Sequence, residues 1–295
     1  MTAEQAPKGR PASQTEQWEH ALNLLYFNFQ DYSKEALRKF GDEDIHQARV
    51  NCRKLLTLLA ILDPKHSSGL YPIFKKAQKR LGKVRDADVL IQSFKERRRQ
   101  AKADGKPKTV KLLTAVIKHQ KNTRKKYREQ LAQDLPKLAN SALDERWAVF
   151  LSTQLESMVA RRDANVVMRE LEVAFEQRKQ ACKGLFKDLS SPSEEAFETL
   201  HKLRIAAKEL RYTAGAAAFT LNQKFQADES IYKDVQAQLG EINDKRIWLQ
   251  TLNGIGRKKL DVGKKTWEAF TGELRAEVLE ALQHNRVLPA RDNSK

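Results

Sequence analysis

The sequence predicts an all-α protein made of two packed helical bundles related by a pseudo-twofold axis, and three observations carry that expectation. Apolar residues recur with a period near 3.6 between breaks at 41–44 (GDED), 63–72 (DPKHSSGLYP), 102–107 (KADGKP), 134–137 (DLPK), 189–195 (LSSPSEE) and 253–256 (NGIG). No comparable run alternates with a period of two. A unit of roughly 150 residues also occurs twice with its motifs in the same order. Two copies are too few for a solenoid, which leaves paired bundles as the architecture.

Taken in order, residues 1–14 and 285–295 are polar, proline-containing and aperiodic, and read as disordered tails. The folded part then spans 15–284, with a first helical repeat at 15–135 and a second at 141–284. Near the start of the first copy, IHQARVNCRKL (45–55) places His46, Arg49 and Arg53 on one edge of a helix, opposite Ala48, Cys52, Leu55 and Leu59. In FKKAQKRLGKV (74–84), Lys75, Lys79 and Lys83 step by four along one edge, and Phe74, Ala77, Leu81 and Val84 take the other. In the segment from Lys111 to Leu131, Lys111, Lys118, Lys121, Lys125 and Arg128 cluster within about 100° of the circumference, opposite Leu112, Leu113 and Val116; Arg124 and Lys126 fall outside that stripe. A capping box of Ser191, Pro192 and Glu194 then opens a helix. Inside that helix, HKLRIAAKELRY (201–212) sets His201, Arg204, Lys208 and Arg211 within roughly 80° of one face, with Leu203, Ala207, Leu210 and Ala214 on the other.

The repeat is read from these motifs. His46 aligns with His201, Arg49 with Arg204, Val50 with Ile205 and Arg53 with Lys208. Further on, KKAQKRLGKVRDADVLIQSF (75–94) aligns with KDVQAQLGEINDKRIWLQTL (233–252), matching Lys75 with Lys233, Gln78 with Gln236, Leu81-Gly82 with Leu239-Gly240, Asp86 with Asp244 and Gln92 with Gln250. Like charges at i, i+3 and i+4 destabilise an isolated helix. A solvated face has no reason to repeat that spacing in two diverged copies, so the stripes are expected to face an anion.

Composition bounds what the anion is. The 295 residues hold 55 Lys and Arg against 38 Asp and Glu, a formal net charge of +17, which favours association with polyanions: nucleic acid, anionic membrane or polyphosphate. No segment approaches the roughly 20 apolar residues that span a bilayer, and the N-terminus lacks a signal-peptide core, so a cytosolic protein without membrane insertion is expected. Cys52 and Cys182 sit inside helical patterns and read as buried small hydrophobes. His20, His66, His119 and His284 are scattered without metal-ligand spacing. Asp86 and Asp88 in RDAD suggest a Mg²⁺ pair, but Arg246 replaces Asp88 in the second copy, and the simpler reading ends a helix at Leu-Gly and uses Asp86 or Asp244 to cap the next, or to hold an arginine rotamer. Nucleotide loops and Ser/His/Asp elbows are missing.

The doubled pattern H-x-x-R-V/I-x-x-R/K followed by L-G-x-V/I-R/N-D resembles the CHAD family, the conserved-histidine α-helical domains, over most of the chain between the tails. The resemblance implies two four-helix bundles around a basic central cavity or pore, and non-catalytic binding of inorganic polyphosphate with no cofactor or metal. It carries over to His46, Arg49, Arg53 and Lys54 in the first copy and to His201, Arg204, Lys208 and Arg211 in the second; Lys75, Lys79, Lys83, Lys118, Lys121, Lys125, Arg128 and Lys233 join the candidate site from their charge patterning. Leu56 and Glu209 stand where the family pattern favours a basic residue. The resemblance also makes polyphosphate granules a candidate location within the cytoplasm. The two histidines are either partial charges on the cationic edge or neutral groups that orient the arginines. The runner-up reading is a nucleic-acid-binding helical protein, with Tyr212 placed beside the stripe to stack a base; an enzyme that processes polyphosphate or relays phosphohistidine is the third.

Overall fold

A computed structural model of the protein describes residues 12–186 and 193–287, and among them every regular element is a helix. The helices are α1 (Gln14–Lys39), α2 (Asp42–Leu62), α3 (Leu70–Ala103), α4 (Pro107–Leu138), α5 (Ser141–Val149), α6 (Leu155–Arg161), α7 (Ala164–Leu185), α8 (Glu194–Ala216), α9 (Gln223–Ala227), α10 (Glu229–Ile255) and α11 (Lys264–Gln283). A π-helical stretch, Phe150–Gln154, joins α5 to α6. Among the described residues no helix is long and apolar enough to cross a membrane.

The helix starts follow from local chemistry. Ser13 caps α1 in a capping box, its hydroxyl accepting from the Glu16 N–H while the Glu16 carboxylate accepts from the Ser13 N–H. Asp42, Glu43 and Asp44 fill the first turn of α2, where their charges meet the positive end of the helix dipole. Ser191 and Pro192, expected to open the eighth helix, lie outside the described residues. Ser193 is its N-cap, accepting from the Ala196 N–H at 3.1 Å, and Glu194 is the first helical residue.

Several boundaries differ from expectation for physical reasons. Leu81-Gly82 and Leu239-Gly240 do not end helices: α3 and α10 run through both. Gly82 is buried, and a Cβ there would lie 3.5 Å from Arg49 Nε, so the glycine gives α2 its close approach. Pro136 sits inside the last turns of α4, so the 134–137 break falls two residues late, at Ala139. The chain also turns at Arg162 and Asp163 and again at 217–222, where no Pro or Gly marks the sequence. At the far end, part of the segment read as a tail is packed: Val287 is buried and the Arg286 N–H donates to Gln238.

Packing follows chain order in each half. α1 lies on α2, α2 on α3 and α3 on α4; α7 lies on α8, α8 on α10 and α10 on α11. The halves meet where α2 packs on α8 and α4 on α11. The larger core runs from Trp18 on α1 to Leu282 on α11 and takes up the apolar faces of α2 and α8, including Ala48, Cys52, Leu55, Leu59, Leu203, Ala207, Leu210 and Ala214. Both cysteines are buried and free, and Cys52 Sγ donates to the Phe74 carbonyl at 3.1 Å. A smaller core joins α3 and α4 to α10 and α11 around Phe94, Leu113, Leu252, Phe270 and Leu274. Over it, Arg97 pairs with Glu277 and lies 4.8 Å above the Trp248 ring, tying α3 to both second-half helices.

Phe94 is fully buried at the centre of the smaller core. Phe94→Ala is expected to lower the unfolding free energy by about 3–5 kcal/mol in a denaturant titration followed by circular dichroism. A loss under 1 kcal/mol would show that this core does not join the halves.

Candidate anion-binding site

The contact between α2 and α8 buries one face of each helix and turns the remaining basic edges toward each other. Arg49 and Arg53 come from α2, Arg204 and Lys208 from α8, and all four are half-buried. Arg53 Cζ lies 3.9 Å above the ring of Tyr212 on α8, so the two stripes touch across the interface. The same pairs that the repeat aligns are thereby brought into one cluster.

Its electrostatics show how close the charges are. Burial, then the fields of Arg204, Arg53 and Arg49, depress the Lys208 ammonium to a pKa of about 8; Asp244 opposes this. Burial also lowers Arg53, with Arg49 and Arg204 adding to the effect and Tyr212 and Glu209 working against it. Arg204 is lowered by burial, against the fields of Asp244 and Asp86. Asp86 and Asp244 therefore act from both halves of the chain on one arginine. That is the second of the two roles expected for them, since neither caps a helix.

What the cluster lacks is a carboxylate in contact. Elsewhere Arg80 holds Asp134 at 2.6 Å, Arg124 holds Asp88 at 2.7 Å and Arg246 holds Glu194 at 2.5 Å. Among the described residues, Arg49, Arg53, Arg204 and Lys208 have no carboxylate within 4.0 Å, and the buried Nε atoms of Arg49 and Arg204 have no hydrogen-bond partner. These two arginines are equivalent in the repeat. Buried polar groups in proteins are as a rule hydrogen-bonded, so a matched pair left open is a feature that needs a ligand to explain it.

The remaining candidates divide. His46 is half-buried, with Nδ1 unpartnered; burial, Arg85 and Arg49 hold its imidazole below the usual range, which makes it neutral at pH 7. His201 and Lys54 are half-buried on the same helices as the cluster. Arg211 donates to Gln236 at 3.2 Å and lies 5.6 Å from the Tyr212 ring. Lys75 is exposed beside α2, close enough for its charge to reach Cys52. Lys83 lies over Tyr127 at 5.4 Å. Lys79, Lys118, Lys121, Lys125 and Lys233 are exposed, and no hydrogen bond, ion pair or ring contact among the described residues ties them to the cluster. Arg128 is turned toward Asp42 at 3.3 Å and Asp88 at 3.7 Å.

Three residues near the site were not singled out from the sequence. Arg85, next to Asp86 in the second motif, acts on His46. Glu209, where a basic residue was expected, opposes the charge crowding at Arg53. Arg124, outside the lysine stripe, is the partner of buried Asp88, so RDAD contains one structural carboxylate rather than an adjacent pair. The only signal for these was their adjacency to the repeated motifs.

An all-α chain with a paired, half-buried cationic cluster at the contact of two equivalent helices is the class defined so far. The chain belongs to the CHAD domain family, whose family model matches residues 20–253. The crystal structure of the CHAD domain from the plant Ricinus communis is similar with a TM-score of 0.64 at 19% identity, covering 97% of this chain and 93% of that one, which shows the shared fold. No curated protein matches the sequence significantly.

A lysine whose folded pKa is depressed weakens the fold while it is protonated. Below about pH 8 the charge is present in both folded and unfolded chains, and the full penalty applies; it disappears as pH rises from about 8 through the ordinary lysine value of about 10.4. Lys208→Met is therefore expected to raise the unfolding temperature of the unliganded protein by a few degrees at pH 7, with the difference shrinking across that alkaline window in calorimetry. A variant less stable than the parent at pH 7 would contradict the charge crowding.

Proposed function

We propose that this protein binds inorganic polyphosphate, without catalysis, in the cationic cluster between α2 and α8. The observation that carries the reading is the pair of repeat-equivalent arginines, Arg49 and Arg204, whose buried Nε donors are open. A guanidinium presents donors in a fixed fork that suits phosphate oxygens, and it keeps its charge at every physiological pH. A linear polyanion offers one acceptor group after another at short intervals and needs no base-reading groups. His201 to Arg211 spans about 15 Å of helix axis at 1.5 Å per residue, enough for several consecutive phosphates.

In this reading the two halves are pseudo-symmetric bundles and the cluster lies in a basic cavity between them. The packing order α1-α2-α3-α4 repeated as α7-α8-α10-α11 supports that symmetry, as does the doubled motif. The exposed lysines Lys75, Lys79, Lys118, Lys121, Lys125 and Lys233 then guide the polyanion toward the cluster through long-range attraction. The proposed setting is the cytoplasm, at polyphosphate granules. Nucleic acid is a weaker fit, because Arg53 covers a face of the Tyr212 ring on which a base would stack.

Binding should fall steeply with salt, since each neutralised phosphate releases counterions. The decisive comparison is positional. Arg49→Gln with Arg204→Gln lowers the net charge as much as Lys258→Gln with Lys259→Gln, two exposed lysines next to the turn that ends α10. The first pair is expected to weaken polyphosphate binding at least about tenfold, an order-of-magnitude figure for two charge-assisted contacts, and the second less than about twofold. The measurement is a fluorescence-anisotropy titration with labelled polyphosphate, in competition with RNA and DNA at equal phosphate concentration. Equal losses from the two pairs would reduce the binding to diffuse surface charge, and equal affinity for RNA would transfer the assignment to nucleic acid.

A further inference from the structure

The cluster contains one group that the binding reading does not explain. Three arginines suffice to hold phosphate, yet the fourth member is an amine, and it is the member most surrounded by the others. Arg49 and Arg53 face Lys208 from α2, Arg204 faces it from the preceding turn of α8, and the counter-charge reaching it is that of Asp244 on α10. Asp86 on α3 acts on the cluster through Arg204. The aligned position in the first copy is Arg53. An amine among phosphate-binding guanidinium groups has the geometry of a nucleophile beside a leaving-group site.

We infer that Lys208 is a site of covalent acylation by acyl phosphates, with the phosphate of the donor held by Arg49, Arg53 and Arg204. The step is a simple acyl transfer. The neutral Nζ attacks the carbonyl carbon of the acyl phosphate, a C–N bond forms, and the C–O bond to phosphorus breaks. Inorganic phosphate leaves with the electron pair, and the proton lost from nitrogen goes to the released phosphate or to water. The products are Nε-acyl-lysine and phosphate, with no change of oxidation state.

Two physical terms favour Lys208 over the exposed lysines. Only the unprotonated amine is a nucleophile, and with a pKa of about 8 half of Lys208 is unprotonated at pH 8. An ordinary lysine at about 10.4 is unprotonated to well under about one part in a hundred at that pH. The arginines supply the second term, positioning the donor and stabilising the charge that gathers on the departing phosphate. Acylation would remove one cation from the centre of the cluster, so it would also regulate polyanion binding; that consequence, unlike the modification itself, rests on the polyphosphate reading.

The test uses the full chain with acetyl phosphate at pH 8, and follows each lysine by peptide mass spectrometry. Lys208 is expected to be acetylated at least about tenfold faster than Lys258 and Lys264, a conservative figure because a less basic amine is also intrinsically less nucleophilic. Arg53→Gln should lower the Lys208 rate at least about threefold and move its pH–rate profile to higher pH, as expected when a neighbouring charge is removed. A Lys208 rate no greater than that of Lys264 overturns the inference. So does an equal preference for Lys208 with a neutral acetyl ester, which would reveal a reactive amine with no phosphate-guided donor. Titration of the unmodified protein with polyphosphate is run separately. A selective Lys208 adduct without polyphosphate binding would uphold the inference and remove the function proposed above, while tight binding without a selective adduct would do the reverse. Acetylated protein, and Lys208→Gln as its charge counterpart, should each bind polyphosphate several-fold more weakly than the parent.

Discussion

Like charges forced together at the contact of α2 and α8 are the constraint on which the remaining structure depends. Protonated Lys208 in the field of Arg49, Arg53 and Arg204 represents at most about 3 kcal/mol of unfavourable energy, taking its displacement from 10.5 to about 8 at about 1.4 kcal/mol per unit. Opposing it are the apolar sides of the same two helices. Ile45, Leu55 and Leu59 on α2, with Leu203 and Leu210 on α8, are each at most 1% exposed, and each large aliphatic side chain buried contributes about 1.5–3 kcal/mol. The apolar term wins by a wide margin. The helices can therefore carry a strained cationic edge without separating, provided that one edge is apolar and the other is the site.

Local devices keep the crowding bounded without cancelling it. Asp86, Asp244 and Glu209 act on the arginines from beyond contact distance, and Tyr212 lends the face of its ring to Arg53. A carboxylate in direct contact would fix an arginine rotamer but would also occupy the donors. The contrast with Arg80, Arg124 and Arg246 is instructive: those three are bound to Asp134, Asp88 and Glu194, and they tie helices together. Position 88 in the first copy and position 246 in the second even do comparable work with opposite charge. Asp88 reaches the first turn of α2 through Arg128 and Asp42, and Arg246 reaches the first turn of α8 through Glu194.

The sequence made the stripes legible because helical periodicity and duplication are both one-dimensional signals. Every apolar residue assigned opposite His46 or His201 is buried, and Arg49, Arg53, Arg204 and Lys208 do converge. The misreadings share a cause, which is that a local signal was overruled by a partner distant in the chain. Gly82 looks like a helix terminator, yet its missing side chain makes room for Arg49 on another helix. Asp88 looks like half of a metal pair, but Arg124, 36 residues away, holds it. Charge stripes on a long helix are similarly silent about which helix they will face: Arg128 lay in register with Lys118, Lys121 and Lys125, and it is turned to carboxylates while those lysines remain exposed. The turns at 162–163 and 217–222 lacked Gly and Pro and had no local signature to read.

Divergence between the copies is then most informative where it changes chemistry at a shared position. Arg53 and Lys208 occupy equivalent places and meet in the same cluster, but they respond differently to the same surroundings. Crowding lowers both, and a guanidinium starts so far above neutrality that it stays charged, whereas an ammonium brought to about 8 exchanges its proton within the physiological range. One half of the pair is a permanent charge and the other an adjustable one. A polyanion entering the cluster adds negative field at Lys208 and restores its proton, so binding takes up a proton near pH 8 and weakens as pH rises past that value. Two arginines would give a site indifferent to pH, and two lysines a site that discharges altogether; the arginine-lysine pair keeps the site cationic while leaving its affinity open to adjustment at one atom.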